Sequence, residues 1–385
     1  MKRVDSKPRA GWDKLAESLG FHFHTIDGEP YWDESAYYKF TLDEIETGIE
    51  DPTSEIHAMC LELVDEVVKS ESLMDKLLIP EHTRDLISDS WRTSEPSLYG
   101  RMDFSYDGTG PAKFYEYNAD TPTSLYETGF FQWLWLEQKI ASGDLPSNVD
   151  QYNRLQEALI ERFSMIGREK KSFHLACCRG HQEDLGTIEY LFDCASQAGL
   201  APVKMFVNDI GVNGSDHFID LDGRAVEQLF KLYPWEWIFQ EPFSNELSGS
   251  KTQWVEPIWK AVLSNKGILP LLWERHPGHP NLLPAWFEGE VKNGPERWVK
   301  KPLFSREGAN ITVESVSGVE MQIDGPYEHT PCIIQSWFPP PCFAGNYCLI
   351  GSWVVGNEAV GMGVREDNTA ITQDTSRFLP HIILD

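Results

Sequence analysis

Apolar positions after Thr53 recur at steps of three and four: Ile56, Met59, Cys60, Leu63, Val64, Val67 and Val68. That period places them on one face of a helix beginning near Thr53, and such a stripe is a packing face. Upstream, Thr41-Leu42-Asp43-Glu44 has capping-box spacing, in which the Thr hydroxyl and the Glu carboxylate each accept from a free N–H at the helix start. The first hundred residues therefore read as helical. The pattern then becomes alternating along Arg101–Tyr106 and Ala112–Asn118, aromatic-rich arms flanking Asp107-Gly108-Thr109-Gly110-Pro111, which predicts a β-hairpin. Ser124–Ile140 is apolar and aromatic and reads as a helix packed beneath that hairpin. Beyond it the chain alternates, with helices expected at Gln151–Ile166 and Thr187–Gly199 and strands at Phe173–Cys178 and Val203–Val207, the texture of an α/β layer. Ser244–Lys251 is a polar linker candidate, and from Lys266 onward the chain is strand-rich with Gly and Pro punctuation. A second hairpin is expected over Gly351–Gly363, turning at Gly356-Asn357.

The first hairpin carries the densest chemistry. Strand side chains alternate faces, so Arg101, Asp103 and Ser105 share one side of the outgoing arm. Phe114, Glu116 and Asn118 share one side of the returning arm. A turn centred on Gly108–Thr109 sets Arg101 opposite Glu116, with Asp103 diagonal to it. Asp103, Glu116 and Asn118 then converge as hard oxygen donors beside a guanidinium. This suits Mg²⁺ holding nucleotide phosphates, because Mg²⁺ takes few protein carboxylates and completes its shell with phosphate oxygens and water. A solvated hairpin face with a surface Arg–Glu pair is the competing reading.

Charge and composition narrow the function classes. The chain has 385 residues and a formal charge of −27, enough length for a substantial core. Its acidity disfavours nucleic acid, whose backbone is bound by a basic surface, but would draw a polycationic substrate toward a cleft. The start MKRVDSKPRAGWDKL lacks an apolar core of signal-peptide length, and no apolar run of the ~18 residues needed to span a membrane is present. Seven cysteines without CxxC or Cys/His metal spacing fit reduced thiols in a reducing compartment, so a cytoplasmic location is expected.

Several polar groups sit at predicted strand ends. Trp298-Val299-Lys300-Lys301-Pro302 ends a strand in two lysines before Ser305-Arg306-Glu307-Gly308-Ala309-Asn310. One lysine and the loop N–H groups can line phosphate oxygens, or the stretch is a surface loop. Strand alternation turns Lys300 away from Lys301. Gln335 follows the apolar Cys332-Ile333-Ile334, where a buried amide needs a partner. After Phe173–Cys178 comes Arg179-Gly180-His181-Gln182-Glu183-Asp184, at a strand's C-terminal end, a favoured ligand position in α/β layers. Glu183 and Asp184 are thus substrate candidates, or else pair with Arg179. Arg365 lies in Gly361-Met362-Gly363-Val364-Arg365-Glu366-Asp367-Asn368, whose glycines and charges suit a segment that closes over a site. Glu366 and Asp367 are near enough in sequence to pair with it.

The run Glu116-Tyr117-Asn118-Ala119-Asp120-Thr121-Pro122-Thr123-Ser124 resembles the signature of the glutathionylspermidine synthetase family. Further matches follow in family order at Ser264–Pro270, His279–Leu283, Lys301–Asn310, Gln335 and Ile350–Trp353 leading to Gly363–Asp367. Within that family the chain is most similar to short bacterial members classed as acid–amine ligases. The resemblance implies a mixed α/β fold, a circularly permuted ATP-grasp. It divides the chain into a helical region (1–98), a metal-binding hairpin (99–130), an acid-substrate layer (131–262) and nucleotide-binding segments (263–385). It implies ATP and Mg²⁺, with Asp103, Glu116 and Asn118 on the metal and Arg101, Asp103, Lys266, Lys301, Glu307 and Gln335 around the nucleotide. Arg101 and Arg365 would flank the transferred phosphoryl group, and Thr121, Glu183 and Asp184 would meet the substrates. The implied reaction is ATP-dependent amide formation through an acyl phosphate, joining a peptide-like acid to a di- or polyamine. The cysteine-dependent amidase that precedes the synthetase in bifunctional members is not expected here. The alternative is a non-catalytic nucleotide-binding protein, or a partner that modifies a protein tail.

Overall fold

The computed structural model describes residues 1–26, 28–167, 172–214, 216–291, 294–373 and 376–385. Helix Asp51–Val67 forms where the stripe predicts, and Ile56, Cys60, Leu63, Val64 and Val67 are buried. The capping box at Thr41 and Glu44 is present. It opens a longer helical run than the stripe alone suggests, because a π-helical turn at Glu46–Glu50 joins it to Asp51–Val67. Pro52 stands in the first turn after that π segment, where an absent N–H is least disruptive.

The first forty residues are not purely helical. Strand Ala36–Phe40 lies between Lys2–Asp5 and His381–Ile383, near the far end of the chain, and pairs with both. Ala36, Tyr38 and Phe40 alternate inward, a period-two signal only five residues long. Arg3 and Tyr38 also reach Glu366, with Arg3 Nε 2.7 Å from its carboxylate.

The site rests on an antiparallel sheet. Its order is Arg377–Leu379, Glu358–Asp367, Asn346–Val355, Tyr99–Ser105 and Lys113–Asn118, with Cys342–Phe343 paired beside Asn346–Val355. The hairpin turn at Gly356–Asn357 is as expected, with Val355 opposite Glu358. A second antiparallel sheet, Ala285–Phe287, Cys332–Ser336, Arg297–Pro302, Thr312–Ser315 and Gly318–Gln322, carries Lys301 and Gln335. The α/β layer is a parallel sheet ordered Gln253–Val255, Gln228–Leu232, Phe173–Cys177 and Pro202–Phe206. Its inner strands are buried end to end, as parallel strands covered on both faces must be. Helices Leu155–Ile166 and Gln182–Gln197 pack their apolar faces in one cluster with its strands.

The linker candidate Ser244–Lys251 is structured: Pro242–Gly249 forms 3₁₀ turns and buries Ser244 and Leu247. The helical run Glu127–Ala141 crosses the boundary expected at 130.

The buried Asp120–Lys231 ion pair ties the signature segment to the parallel layer. Asp120 also accepts from the Trp235 N–H at 2.8 Å, and the Lys231 ammonium lies 4.5 Å from the centre of the Trp235 ring. Removing one member leaves a charge in an apolar setting. We expect Lys231→Met to lower unfolding free energy by roughly 3–5 kcal/mol, read from the denaturant midpoint. A loss below about 1 kcal/mol, the range of an exposed pair, would show that the site does not depend on this tie.

Candidate active site

The hairpin brings its acids together, in a register different from that expected. Arg101 lies opposite Asn118 and Asp103 opposite Glu116. Two shifts add up: Ser105 lies opposite Lys113, so the turn is set one residue further along, and a bulge between Asp103/Phe104 and their partners leaves Tyr115 as an extra residue on the returning arm. A bulge shifts both register and facing. Phe114 therefore turns into the core against Phe104, their ring centroids 5.7 Å apart, instead of sharing a face with Glu116. Tyr115 instead lines the cleft beside Glu116 and Asn118.

Asp103 is held from two sides. Arg101 donates Nε to Oδ1 at 2.8 Å and Nη2 to Oδ2 at 3.2 Å, and Arg365 donates Nη2 to Oδ2 at 2.7 Å. Arg101 Nη1 also reaches the Thr123 carbonyl at 3.0 Å, fixing the signature loop relative to the strand. Arg365 is not in a free closing segment. It lies within strand Glu358–Asp367, opposite Leu349, and pairs with Asp103 rather than with Glu366 or Asp367. Strand alternation explains this: Glu366 faces the other way, where it is buried and takes Arg3 and Tyr38. Gly351 stands opposite Asp103, and an added Cβ there would lie 2.7 Å from Arg101 Cδ. The lack of a side chain is what lets the guanidinium lie across the strand.

Glu116 meets a lysine pair. Lys266 Nζ is 3.2 Å from its carboxylate and donates to the Ser305 carbonyl. Burial would raise the Glu116 carboxyl, but Lys266 and Lys301 bring it down to about 2. Burial, with Lys266 adding to it, lowers the Lys301 ammonium to about 8 against the pull of Glu116. Lys300 turns outward to Glu288, as alternation predicts. Asn118 Nδ2 lies 3.3 Å from Asp103 and 3.4 Å from Glu116, so the amide bridges the carboxylates. Among the described residues no group of three or more His, Cys, Asp or Glu side chains could hold a metal. Two carboxylates and an amide are too few for a dedicated cage but match Mg²⁺, which shares its shell with phosphates.

One cleft, with a cavity volume of about 380 Å³, gathers these groups: Arg101, Asp103, Glu116, Asn118, Lys301 and Arg365 all line it. Thr121, Glu183, Asp184, Glu307 and Gln335 open into the same space. Lys266 does not; with Glu116 it borders a smaller adjoining cavity. Gln335 is buried and donates Nε2 to the Phe114 carbonyl at 3.4 Å.

The pairing of Arg179 with Glu183 or Asp184 does not form. Arg179 instead reaches Asp209 at 2.6 Å and covers the Phe206 ring. Glu183 and Asp184 begin helix Gln182–Gln197, where the positive end of the helix dipole favours acids. Burial and Glu183 raise the Asp184 carboxyl to about 6.

Other residues of the cleft were not legible. Tyr31 lines it from the N-terminal segment and bonds Glu127, buried in the π-helical turn Glu127–Phe131. Arg306 lines it and pairs with Glu236. Tyr31 lies in a stretch with no periodic signal, and Glu127 sits inside an apolar helix pattern, so neither spacing marked them.

The fold is shared with a solved glutathione synthetase like-effector from Globodera pallida, at a TM-score of 0.61 and 11% identity over 90% of this chain and 89% of that one. In sequence, the chain is 43% identical to a Haemophilus influenzae protein provisionally named an acid–amine ligase, covering 99% of each. It is 26% identical to the bifunctional glutathionylspermidine synthetase/amidase of Escherichia coli, over 91% of this chain. The same identity, over 84% of this chain, relates it to the trypanothione synthetase of Crithidia fasciculata. The chain spans 60% and 53% of those two longer relatives. The sequence relatives define an ATP-dependent, amide-forming carbon–nitrogen ligase. The family described as glutathionylspermidine synthase preATP-grasp matches residues 3–384, and the chain belongs to it.

If the Arg101–Asp103 geometry matters, crowding it without touching a charge should be felt. Gly351→Ala is expected to displace the guanidinium and reduce turnover on the order of 10²-fold, as misplacement by an ångström can, with circular dichroism unchanged. Undiminished ADP release by a folded variant would show that the arginine's exact placement is unimportant.

Proposed function

We propose that the protein joins a peptide-like carboxylate to a primary amine of a di- or polyamine, with ATP converted to ADP and phosphate. The observation that carries this reading is the double guanidinium grip on Asp103, beside Glu116 and Asn118, in a cleft that also exposes Glu183 and Asp184. In the first step the acid's carboxylate oxygen attacks the γ-phosphorus of ATP, giving an acyl phosphate and ADP. In the second the amine nitrogen attacks the acyl carbon, the carbon–nitrogen bond forms, and phosphate leaves with the electron pair.

Arg101 and Arg365 are placed to follow the charge that spreads over the phosphoryl oxygens, which guanidinium forks match bidentately. The same donors can hold the oxyanion formed at the acyl carbon. Lys301 reaches phosphates as a point charge, Lys266 supports Glu116, and Glu307 and Gln335 contact the nucleotide. Asp103, Glu116 and Asn118 would hold Mg²⁺, whose contribution is to offset phosphate charge. Thr121 meets the acid, and Glu183 and Asp184 attract the cationic partner. The name glutathionylspermidine synthetase carried by a relative makes glutathione and spermidine the first probes. All seven cysteine thiols are free, and no helix among the described residues is long and apolar enough to cross a membrane. We place the reaction in the cytoplasm, where thiols stay reduced.

Nucleotide analysis tests the reaction. Mg²⁺-dependent release of ADP that requires both an acid and an amine is expected across pooled metabolites. Release of AMP and pyrophosphate would rule out the acyl phosphate, and ATP-dependent thermal stabilisation without any ADP would mark a binding protein. With a productive pair in hand, Arg365→Lys keeps the charge but loses the fork. It should lower kcat about 10²-fold, as loss of a transition-state donor does. A change confined to KM for ATP would make Arg365 a ground-state contact.

A further inference from the structure

The amine in the proposed reaction arrives as an ammonium and cannot attack until it loses a proton. The groups around Glu183 bear on where that proton goes. Tyr31 Oη stands between two carboxylates, 2.8 Å from Glu127 Oε1 and 3.2 Å from Glu183 Oε1. A phenol has one hydrogen, and an ionised carboxylate has none to give. The hydroxyl supplies one proton, which two ionised carboxylates would have to share. A second proton on a carboxyl makes both contacts full hydrogen bonds and removes the repulsion of two neighbouring anions, which favours one proton shared by the Glu127–Glu183 pair. Glu127 is its resting place, since that side chain is 1% exposed and burial disfavours the charged form. Glu183 is half-buried and lines the cleft.

We infer that Glu127, Tyr31 and Glu183 form a proton relay. Glu183 takes the proton from the attacking ammonium, and Tyr31 and Glu127 position it and share the load. This rests on the acid–amine ligase reading and deepens it. In the free protein the pair carries one negative charge. Docking of an ammonium at Glu183 favours full ionisation, and the shared proton passes to water through the cleft. During attack the nitrogen loses two protons as the amide forms. One goes to Glu183 and is shared with Glu127 through Tyr31, restoring the resting state; the other leaves with the departing phosphate. Atoms and charge balance without a further reagent.

The electrostatics agree with the geometry. Burial and Glu183 raise the Glu127 carboxyl to about 8, opposed by its own backbone N–H, by the Tyr31 hydroxyl and by Arg101. Tyr31 is raised well above its ordinary value by burial and by both carboxylates, opposed by Arg365. Tyr126 also faces Glu127. On the Glu183 side Asp184 is the adjacent acid, and it in turn feels His181 and Glu307. None of these groups is a carboxylate assigned to the metal.

Infrared difference spectroscopy on the full chain tests the shared proton with no substrate required. The carbonyl stretch of a protonated carboxyl should be present at neutral pH and disappear in Glu127→Gln. It should shift in Tyr31→Phe, which keeps the ring but removes the bridging hydroxyl. A spectrum unchanged by both substitutions overturns the relay. The kinetic arm compares nucleophiles, using ATP, Mg²⁺ and glutathione with either spermidine or hydroxylamine, the latter uncharged at neutral pH and with no ammonium proton to lose. In Glu127→Gln the ratio of spermidine-dependent to hydroxylamine-dependent ADP release should fall about 10²-fold, the low end for a proton-transfer contribution. Equal loss with both nucleophiles would reduce Glu127 to a structural role. If the unaltered protein releases ADP with neither, the ligase reading has failed for these substrates, and the infrared result still decides whether the proton is shared.

Discussion

The Arg101–Asp103–Arg365 cluster constrains much of the rest of this structure. Guanidinium groups more than 250 residues apart in sequence meet on one carboxylate, which is possible only because Tyr99–Ser105, Asn346–Val355 and Glu358–Asp367 are neighbours in one sheet. Buried like charges repel strongly unless an opposite charge lies between them. Asp103 plays that part here, and Gly351 leaves the room it needs. The same sheet explains why Glu366 cannot take part: its side chain belongs to the other face, where it ties the first strand to the last third of the chain through Arg3 and Tyr38.

The cleft is assembled from separate layers, each contributing by its own logic. The antiparallel hairpin contributes oxygen donors because alternation and one bulge point them the same way. The second antiparallel sheet contributes Lys301 and Gln335, aligned by adjacent strands Arg297–Pro302 and Cys332–Ser336. The parallel layer contributes Glu183 and Asp184 just past the end of Phe173–Cys177. The polar character therefore differs within one cavity: cations gather about Asp103 and Glu116, and acids gather about Glu183. A reaction that joins a phosphorylated acid to a cationic amine needs both.

The family relationship and the geometry bear on different questions. Membership of the family, with whole-chain similarity to a protein provisionally named an acid–amine ligase and partial similarity to two longer synthetases, establishes the class of chemistry. It leaves the acid and the amine to be read from the cleft. The Glu127–Tyr31–Glu183 contact joins an N-terminal segment, a π-helical turn and a helix start, so it is a property of the packed molecule.

The sequence by itself determined the stripe of helix Asp51–Val67, the capping box at Thr41, both hairpins, two of the four parallel-layer strands and the polar groups after the first of them. These are local signals: a 3.6 or two-residue period, a turn former, a cap. It also carried the ordered motifs that resemble the family. Only the tertiary structure decided the hairpin register, because the setting of the turn and one extra residue at Tyr115 each shift the pairing by one and leave no mark in composition. It decided the partner of Arg365, because alternation excludes Glu366 and pairing brings Asp103 from far away. It freed Glu183 and Asp184 by giving Arg179 to Asp209. And it placed Tyr31 against Glu127, since a contact between segments with no shared period exists only once the chain has closed on itself.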